Sequence, residues 1–236
     1  RGGKRVEVDV VIPEGYTLKQ IFTLLEANNV CTEKELWDAA ANEDFQYDFL
    51  DPATLGDKRR LEGFLFPDTY RFFVSDSPSR AIDKMLKNFN DKFTAELRTR
   101  ASELGYSIRE IITIASMIER EAGDDDTDRD LVASVIHNRL NSRNLKRLEI
   151  DATIYYVIAE TGQEFSTKID SPYNTYMVEG LPAGPIGNPG IASIRAALYP
   201  ETSNYYYYAL NKQGTHNFFR DYDAHQAFVK SDEYGG

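Results

Sequence analysis

Ser107-Ile108-Arg109-Glu110-Ile111-Ile112-Thr113-Ile114-Ala115-Ser116-Met117-Ile118-Glu119-Arg120-Glu121-Ala122 is the stretch that organises the rest of the chain. Ser107 and Glu110 have the S-x-x-E spacing of a capping box, so the helix and its phase are set from the first residue. At about 100° per residue, Ile108, Ile111, Ile112, Ala115, Ile118 and Ala122 form one apolar stripe, with Glu110, Thr113, Arg120 and Glu121 off it or at its edge. Glu119 falls on the stripe, seven residues after Ile112 and four after Ala115. A carboxylate on an apolar face is paired with a cation, kept protonated by desolvation, or open to a cleft, because an unpaired buried charge is costly. The second and third states suit a general acid; the first is an ordinary structural ion pair.

Outward from this helix, the acidic turn Gly123 to Thr127 leads to a further helix from about Asp128 to Leu140. Upstream, Ala81, Ile82, Met85, Leu86, Phe89, Phe93 and Leu97 recur at helical spacing, predicting one long helix from Ser79 to about Leu104. The N-terminal part alternates from Val6 to Ile12 as a strand does, turns at Pro13-Glu14-Gly15, and then shows two short helical patterns after Thr17 and Thr32. Residues 1–50 thus read as a small module, 51–70 as a loop-rich linker, and the remainder to 236 as a larger mixed domain, giving an α+β fold class. Residues 171–190 form a Pro/Gly-rich loop, Ile191 to Leu198 a helix, Tyr205 to Leu210 a tyrosine-rich strand, and Phe218-Phe219 a second aromatic stretch.

Composition narrows the function. The 236 residues include 38 Asp and Glu against 27 Lys and Arg, a net charge of -11 that disfavours nucleic acid as a partner. One cysteine, Cys31, cannot form an internal disulfide or a Cys-rich metal site. No run approaches the roughly 18 apolar residues of a membrane span.

Several blocks then occur together. Ala115-Ser116-Met117-Ile118-Glu119-Arg120-Glu121 with Asp130 to Leu140 resembles the signature of the MltG/YceG-like endolytic murein transglycosylases. So do Glu62-Gly63-Phe64-Leu65-Phe66-Pro67-Asp68-Thr69-Tyr70, Leu148 to Thr153, Ser171 to Tyr176, Gly180 to Ile186 and Asn188-Pro189-Gly190, in that order. Val11-Ile12-Pro13-Glu14-Gly15 is similar to the family's small LysM-like module. The resemblance implies a bacterial enzyme on the extracytoplasmic face of the membrane, tethered by an N-terminal helix that precedes this sequence. It would cut peptidoglycan strands between N-acetylmuramic acid and N-acetylglucosamine, leaving 1,6-anhydro ends, with penicillin-binding protein synthases as possible partners. It also matches the family's catalytic glutamate to Glu119. A noncatalytic peptidoglycan-binding scaffold and a conventional muramidase are the alternatives.

Such a reaction needs one acid/base carboxyl and no metal or other cofactor. Glu62, Glu121 and Asp151 are candidates to support it by orienting Glu119 or stabilising positive charge. Tyr173, Asn174 and Tyr176 in the Pro/Gly-rich loop are candidates for sugar contact, through aromatic faces and amide hydrogen bonds, with local turn packing as the alternative. Tyr205 to Tyr208 reads as a sheet strand rather than a sugar platform. Asp124, Asp126 and Asp128 imitate the start of an EF-hand, but Arg129 and Val135 occupy its Gly and Glu positions. His137 reads as a structural hydrogen-bonding residue, while His216 and His225 carry no assigned role.

Overall fold

The computed structural model describes residues 5–122 and 128–236. The chain forms two compact units, one built from its N-terminal part up to Ile112 with Pro185–Ile191, the other from Thr113–Gly184 with Ala192–Gly236. Helices and two short antiparallel sheets make an α+β fold.

In the first unit, β1 (Glu7–Val11) is followed by α1 (Leu18–Ala27) and α2 (Glu33–Asn42), then by β2 (Thr69–Phe73). Both helices start on capping boxes, Thr17 with Gln20 and Thr32 with Glu35. β1 pairs with β2 in a register from Glu7 opposite Phe73 to Val11 opposite Thr69. Val10, Tyr70 and Phe72 point inward, whereas Asp9 and Arg71 pair on the outer face at 2.8 and 3.1 Å. The sheet partner of the first strand therefore lies beyond residue 50, within and just after the expected linker. A module closed at that boundary would lack half its sheet.

The single helix expected over Ser79 to Leu104 is two helices, α3 (Pro78–Lys92) and α4 (Ala95–Glu103). Phe93 leaves helical geometry, and the Thr94 side chain caps the second helix by accepting from Leu97 N. A threonine that offers its hydroxyl to the next turn competes with continuation of the first helix. Phe49, Phe64, Phe89 and Phe93 then form an aromatic core, with ring centroids 4.7 to 5.5 Å apart.

The returning segment 185–191 is held by Asn188. Its backbone exchanges hydrogen bonds with Gly15 and Tyr16, each 2.8 Å. Its side chain accepts from Leu65 N at 2.8 Å and donates to Tyr16 O at 2.8 Å and Glu62 Oε1 at 3.1 Å. Gly63 has φ +93° in this unit, and a Cβ there would lie 2.6 Å from Ile112 Cγ2 and 2.7 Å from Pro185 Cγ. Only glycine fits that backbone.

The division between the units falls inside α5 (Ile108–Glu121). The second unit continues with α6 (Arg129–Leu140), α7 (Asp151–Thr161), α8 (Ile191–Leu198) from Ala192 onward, the hairpin β3 (Tyr207–Leu210) and β4 (His216–Phe219), and α9 (Tyr222–Val229). β3 and β4 pair from Tyr207 opposite Phe219 to Leu210 opposite His216. α6 holds the chain entering β3: Asn138 donates to Ser203 O at 3.0 Å and Tyr205 O at 2.9 Å, and Arg139 Nε to Tyr206 O at 2.7 Å. Among the described residues, no helix is long and apolar enough to cross a membrane.

Candidate active site

The capping box that fixes α5 is present: Glu110 accepts from Ser107 N at 2.8 Å, and Ser107 Oγ accepts from Glu110 N at 3.2 Å. The expected stripe, however, is not the helix's only buried side. Ile111, Ile112, Ile114, Ala115, Met117 and Ile118 are all fully buried, and Thr113 and Ser116 are buried with them. Over these two turns α5 is enclosed all round, so position on one apolar stripe does not single out a carboxylate.

Glu119 and Glu121 are two residues apart and therefore project about 200° apart around the axis. The Glu119 carboxylate lies 3.6 Å from Arg129 Nη1, with side chains 7% and 8% exposed. Arg129 also donates to Ser193 Oγ at 2.8 Å. Of the three states open to Glu119 from the sequence, the geometry is that of the cation-paired one.

Glu121 faces a cavity of about 640 Å³ within the second unit. The cavity's walls include Arg120, Glu121, Arg139, Glu149, Asp151, Tyr176, Tyr206 to Tyr208, His216 and His225, and Glu119 is not among its lining residues. Glu121 Oε2 accepts a 2.9 Å hydrogen bond from Tyr208 OH. Burial pushes the Glu121 carboxyl up to about 6; the neighbouring Asp151 charge also raises it, while Tyr208, Ala152 N–H and Arg120 pull downward. Ala152 is the second residue of α7, so the carboxyl meets the positive end of that helix. Burial and the charge of Glu121 hold the Tyr208 hydroxyl well above its usual range, so it stays protonated and donates.

Asp151, the first residue of α7, accepts a 2.6 Å hydrogen bond from Tyr176 OH. Arg139 Nη1 donates to the carbonyls of Arg147 and Leu148 at 2.9 and 3.0 Å and to Glu149 Oε2 at 3.1 Å. That arginine fixes the 147–149 segment, whose Glu149 has a left-handed φ of 54°, at the cavity wall. His216, also at the cavity wall, packs edge-on against Tyr208 with ring centroids 5.2 Å apart, and its backbone N and Nδ1 both contact Asp128 Oδ2, at 2.6 and 3.2 Å.

The remaining expected site residues separate clearly. Glu121, Asp151 and Tyr176 share the cavity. Tyr173 and Asn174 do not line it. Asn174, 0% exposed, donates to Thr167 O and Ile169 O and accepts from Tyr176 N, so it builds the turn that carries Tyr176. Tyr173 is buried against Tyr156 at 5.0 Å. Both side chains are engaged in local turn packing, the alternative that the sequence left open. Glu62 belongs to the other unit, where Oε1 accepts from Leu18 N at 3.0 Å and from Asn188 Nδ2. Tyr207 and Tyr208, in a strand as expected, nevertheless face the cavity. His137 is buried and contacts Ala197 O through Nε2 at 2.8 Å. Of the EF-hand imitation, Asp124 and Asp126 lie outside the described residues. Among the described residues no cluster of three or more His, Cys, Asp or Glu could hold a metal ion.

The YceG-like family matches residues 1–231 of this chain. A Bacillus subtilis (strain 168) protein named endolytic murein transglycosylase is 32% identical over 204 residues, 84% of this chain and 54% of that protein. A protein of the same name from Streptococcus pneumoniae serotype 2 (strain D39 / NCTC 7466) is 33% identical over 222 residues, 84% of this chain and 40% of its own. The chain spans about half the length of the curated relatives it matches. A 2.6 Å crystal structure of a YceG-like protein from Listeria monocytogenes aligns with a TM-score of 0.81 at 34% identity, covering 93% of this chain and 75% of that one.

Proposed function

The chain belongs to the YceG-like family, and from that membership together with the cavity around Glu121 we propose that it is an endolytic peptidoglycan lytic transglycosylase whose acid/base residue is Glu121. The observation that carries the reading is the carboxyl at the cavity wall, raised to about 6 by burial and held by Tyr208. A carboxyl poised near neutrality can both give and take a proton. Glu119, the expected acid, is instead assigned the structural role of neutralising Arg129.

In the reaction, protonated Glu121 transfers its proton to the glycosidic oxygen between C1 of N-acetylmuramic acid and N-acetylglucosamine, and the C1–O bond breaks. Positive charge develops at C1, where the Asp151 carboxylate, oriented by Tyr176, stabilises it. The C6 hydroxyl oxygen of the same muramoyl residue then bonds to C1 and gives its proton to ionised Glu121. The products are a 1,6-anhydro end and a free 4-hydroxyl, and Glu121 returns to its protonated state. The cycle uses neither water nor a cofactor. Asp151 is thereby given a charge-stabilising role, not the water-activating or nucleophilic role of the second carboxylate in a hydrolase.

The family resemblance supports four wider elements of this reading. The site works on the extracytoplasmic side of the membrane, behind an N-terminal anchor, and its partners are cell-wall synthases. The β1–α1–α2–β2 segment supplies a LysM-like glycan-binding module. Digestion of purified glycan strands, read by mass spectrometry, tests the chemistry. Anhydro ends from the parent, and a release roughly 10²- to 10⁴-fold slower from Glu121→Gln, are expected. Reducing ends would make the protein a conventional muramidase, and bound but uncut strands would make it a scaffold.

A further inference from the structure

The cavity wall contains a second polar group whose chemistry the fold leaves incomplete. Among the described residues, Nδ1 of His225 is the buried side-chain nitrogen or oxygen without a hydrogen-bond partner, and His225 lines the same cavity as Glu121 and Asp151. Buried polar atoms are almost always satisfied, so an unmet one beside a cavity marks a place where a bound group completes it.

The ring is held in place by aromatic neighbours. It stacks on Tyr207 at 5.4 Å and 27°, meets Phe219 edge-on at 5.7 Å, and lies 6.4 Å from Tyr222. These neighbours come from β3, β4 and the first residue of α9, a helix capped by Asp221 accepting from Ala224 N at 2.9 Å. Burial holds the imidazole below its ordinary range, with Arg139 acting the same way and the Tyr208 backbone and Glu149 pulling upward. The ring is therefore neutral at pH 7, with one nitrogen a donor and the other an acceptor. The Tyr208 backbone engages at most one of the two. The residue as a whole is half-buried, and a half-turn about the terminal torsion exchanges the ring edges without disturbing the stacking.

We infer that His225 is a substrate-contacting residue, whose unmet ring nitrogen hydrogen-bonds a hydroxyl or acetamido group of the sugar held against Glu121. A ring clamped by aromatic neighbours adds no fixed charge, so a neutral partner suits it. Hydroxyl and acetamido groups each present both a donor and an acceptor, so either ring tautomer is served. This inference rests on the peptidoglycan reading and assigns one of its contacts.

Two measurements test it. In the full chain, His225→Phe keeps an aromatic ring in the clamp and removes the nitrogens; kcat/KM on glycan strands is expected to fall roughly three- to tenfold, as for one neutral hydrogen bond. His225→Gln is expected to recover part of that loss. In protein labelled with nitrogen-15 histidine and carrying Glu121→Gln, a tetrasaccharide of alternating N-acetylglucosamine and N-acetylmuramic acid is expected to shift the His225 ring-nitrogen resonance. Cleavage by His225→Phe equal to the parent, or a silent His225 resonance with the tetrasaccharide bound, overturns the inference alone. A parent that neither cuts strands nor binds the tetrasaccharide overturns the functional reading, and this inference with it.

Discussion

Tyr208 in β3 donates a 2.9 Å hydrogen bond to Glu121 at the end of α5, across 87 residues of sequence. The bond joins an acidic group whose burial brings it near neutrality to a phenol that cannot itself ionise there. It favours the charged form of Glu121, opposing desolvation and the Asp151 charge. With the Ala152 N–H and Arg120 these effects set where the carboxyl titrates, and the Tyr208 and Asp151 contributions can each be removed separately.

Exchanging the two neighbouring glutamates distinguishes chemistry from architecture. Glu121→Gln is expected to lower turnover roughly 10²- to 10⁴-fold, the contribution of a positioned acid/base group, with the melting temperature little changed. Glu119→Ala removes the carboxylate that lies 3.6 Å from the buried Arg129 guanidinium and is expected to lower the unfolding midpoint more than Glu121→Gln does. Paired denaturation curves and strand-cleavage rates separate the two outcomes. Full activity in Glu121→Gln would return the acid role to Glu119.

Removing the Tyr208 hydroxyl should move the pH profile in a known direction. Its hydrogen bond lowers the Glu121 pKa, so Tyr208→Phe raises it above about 6. Activity that depends on the protonated acid is lost as pH rises through that value, and the alkaline limb of kcat/KM therefore moves to higher pH. An unmoved limb would mean that another group titrates in the profile.

Asp151→Asn should act with the opposite sign. The Asp151 charge raises the Glu121 pKa, and the neutral amide removes that effect, so the alkaline limb moves to lower pH. Turnover also falls, because the charge proposed to face C1 is gone. Tyr176 loses a charged acceptor as well, so crystallography or Tyr176 fluorescence should confirm that its ring stays in place. A limb moving upward would contradict the coupling.

Much of this was legible in the sequence, and the failures have physical causes. Capping at Ser107, Thr17 and Thr32 depends on residues three apart, which a local reading captures. The proposed acid, Glu121, differs from the expected Glu119 because α5 has more than one dry side. Glu121 lies four residues after Met117 and seven after Ile114, both fully buried, so the same periodicity already placed it on an interior face. α7 escaped notice because Ile154-Tyr155-Tyr156-Val157-Ile158 is rich in β-branched and aromatic residues and lacks a helical polar stripe. β2 follows a Gly/Pro-rich stretch, and its partner lies some sixty residues earlier in the register from Asp9 to Arg71. Tyr208 and His225 were unreadable as cavity residues for the same reason: their partners are set by tertiary pairing of β3, β4 and α9.

The first unit offers a prediction independent of catalysis. The buried Asn188 makes three side-chain hydrogen bonds, with Leu65 N, Tyr16 O and Glu62 Oε1. Its donors and acceptor cannot all be replaced by water in that fully buried position. Asn188→Ala leaves the Leu65 amide without its acceptor, at about 1 to 3 kcal/mol for a buried group left unmet, while Glu62 keeps Leu18 N and Tyr16 O keeps the Asn188 backbone N–H. Asn188→Asp restores the acceptor for Leu65 but sets a carboxylate against Glu62, so it should be no better. Both variants should lower the midpoint of urea unfolding, with local amide exchange accelerated first at Leu65 and Leu18, whose N–H groups lie on this network. Unchanged protection at those two amides would show that the segment from Pro185 to Ile191 is held by its backbone bonds to Gly15 and Tyr16 rather than by this side chain.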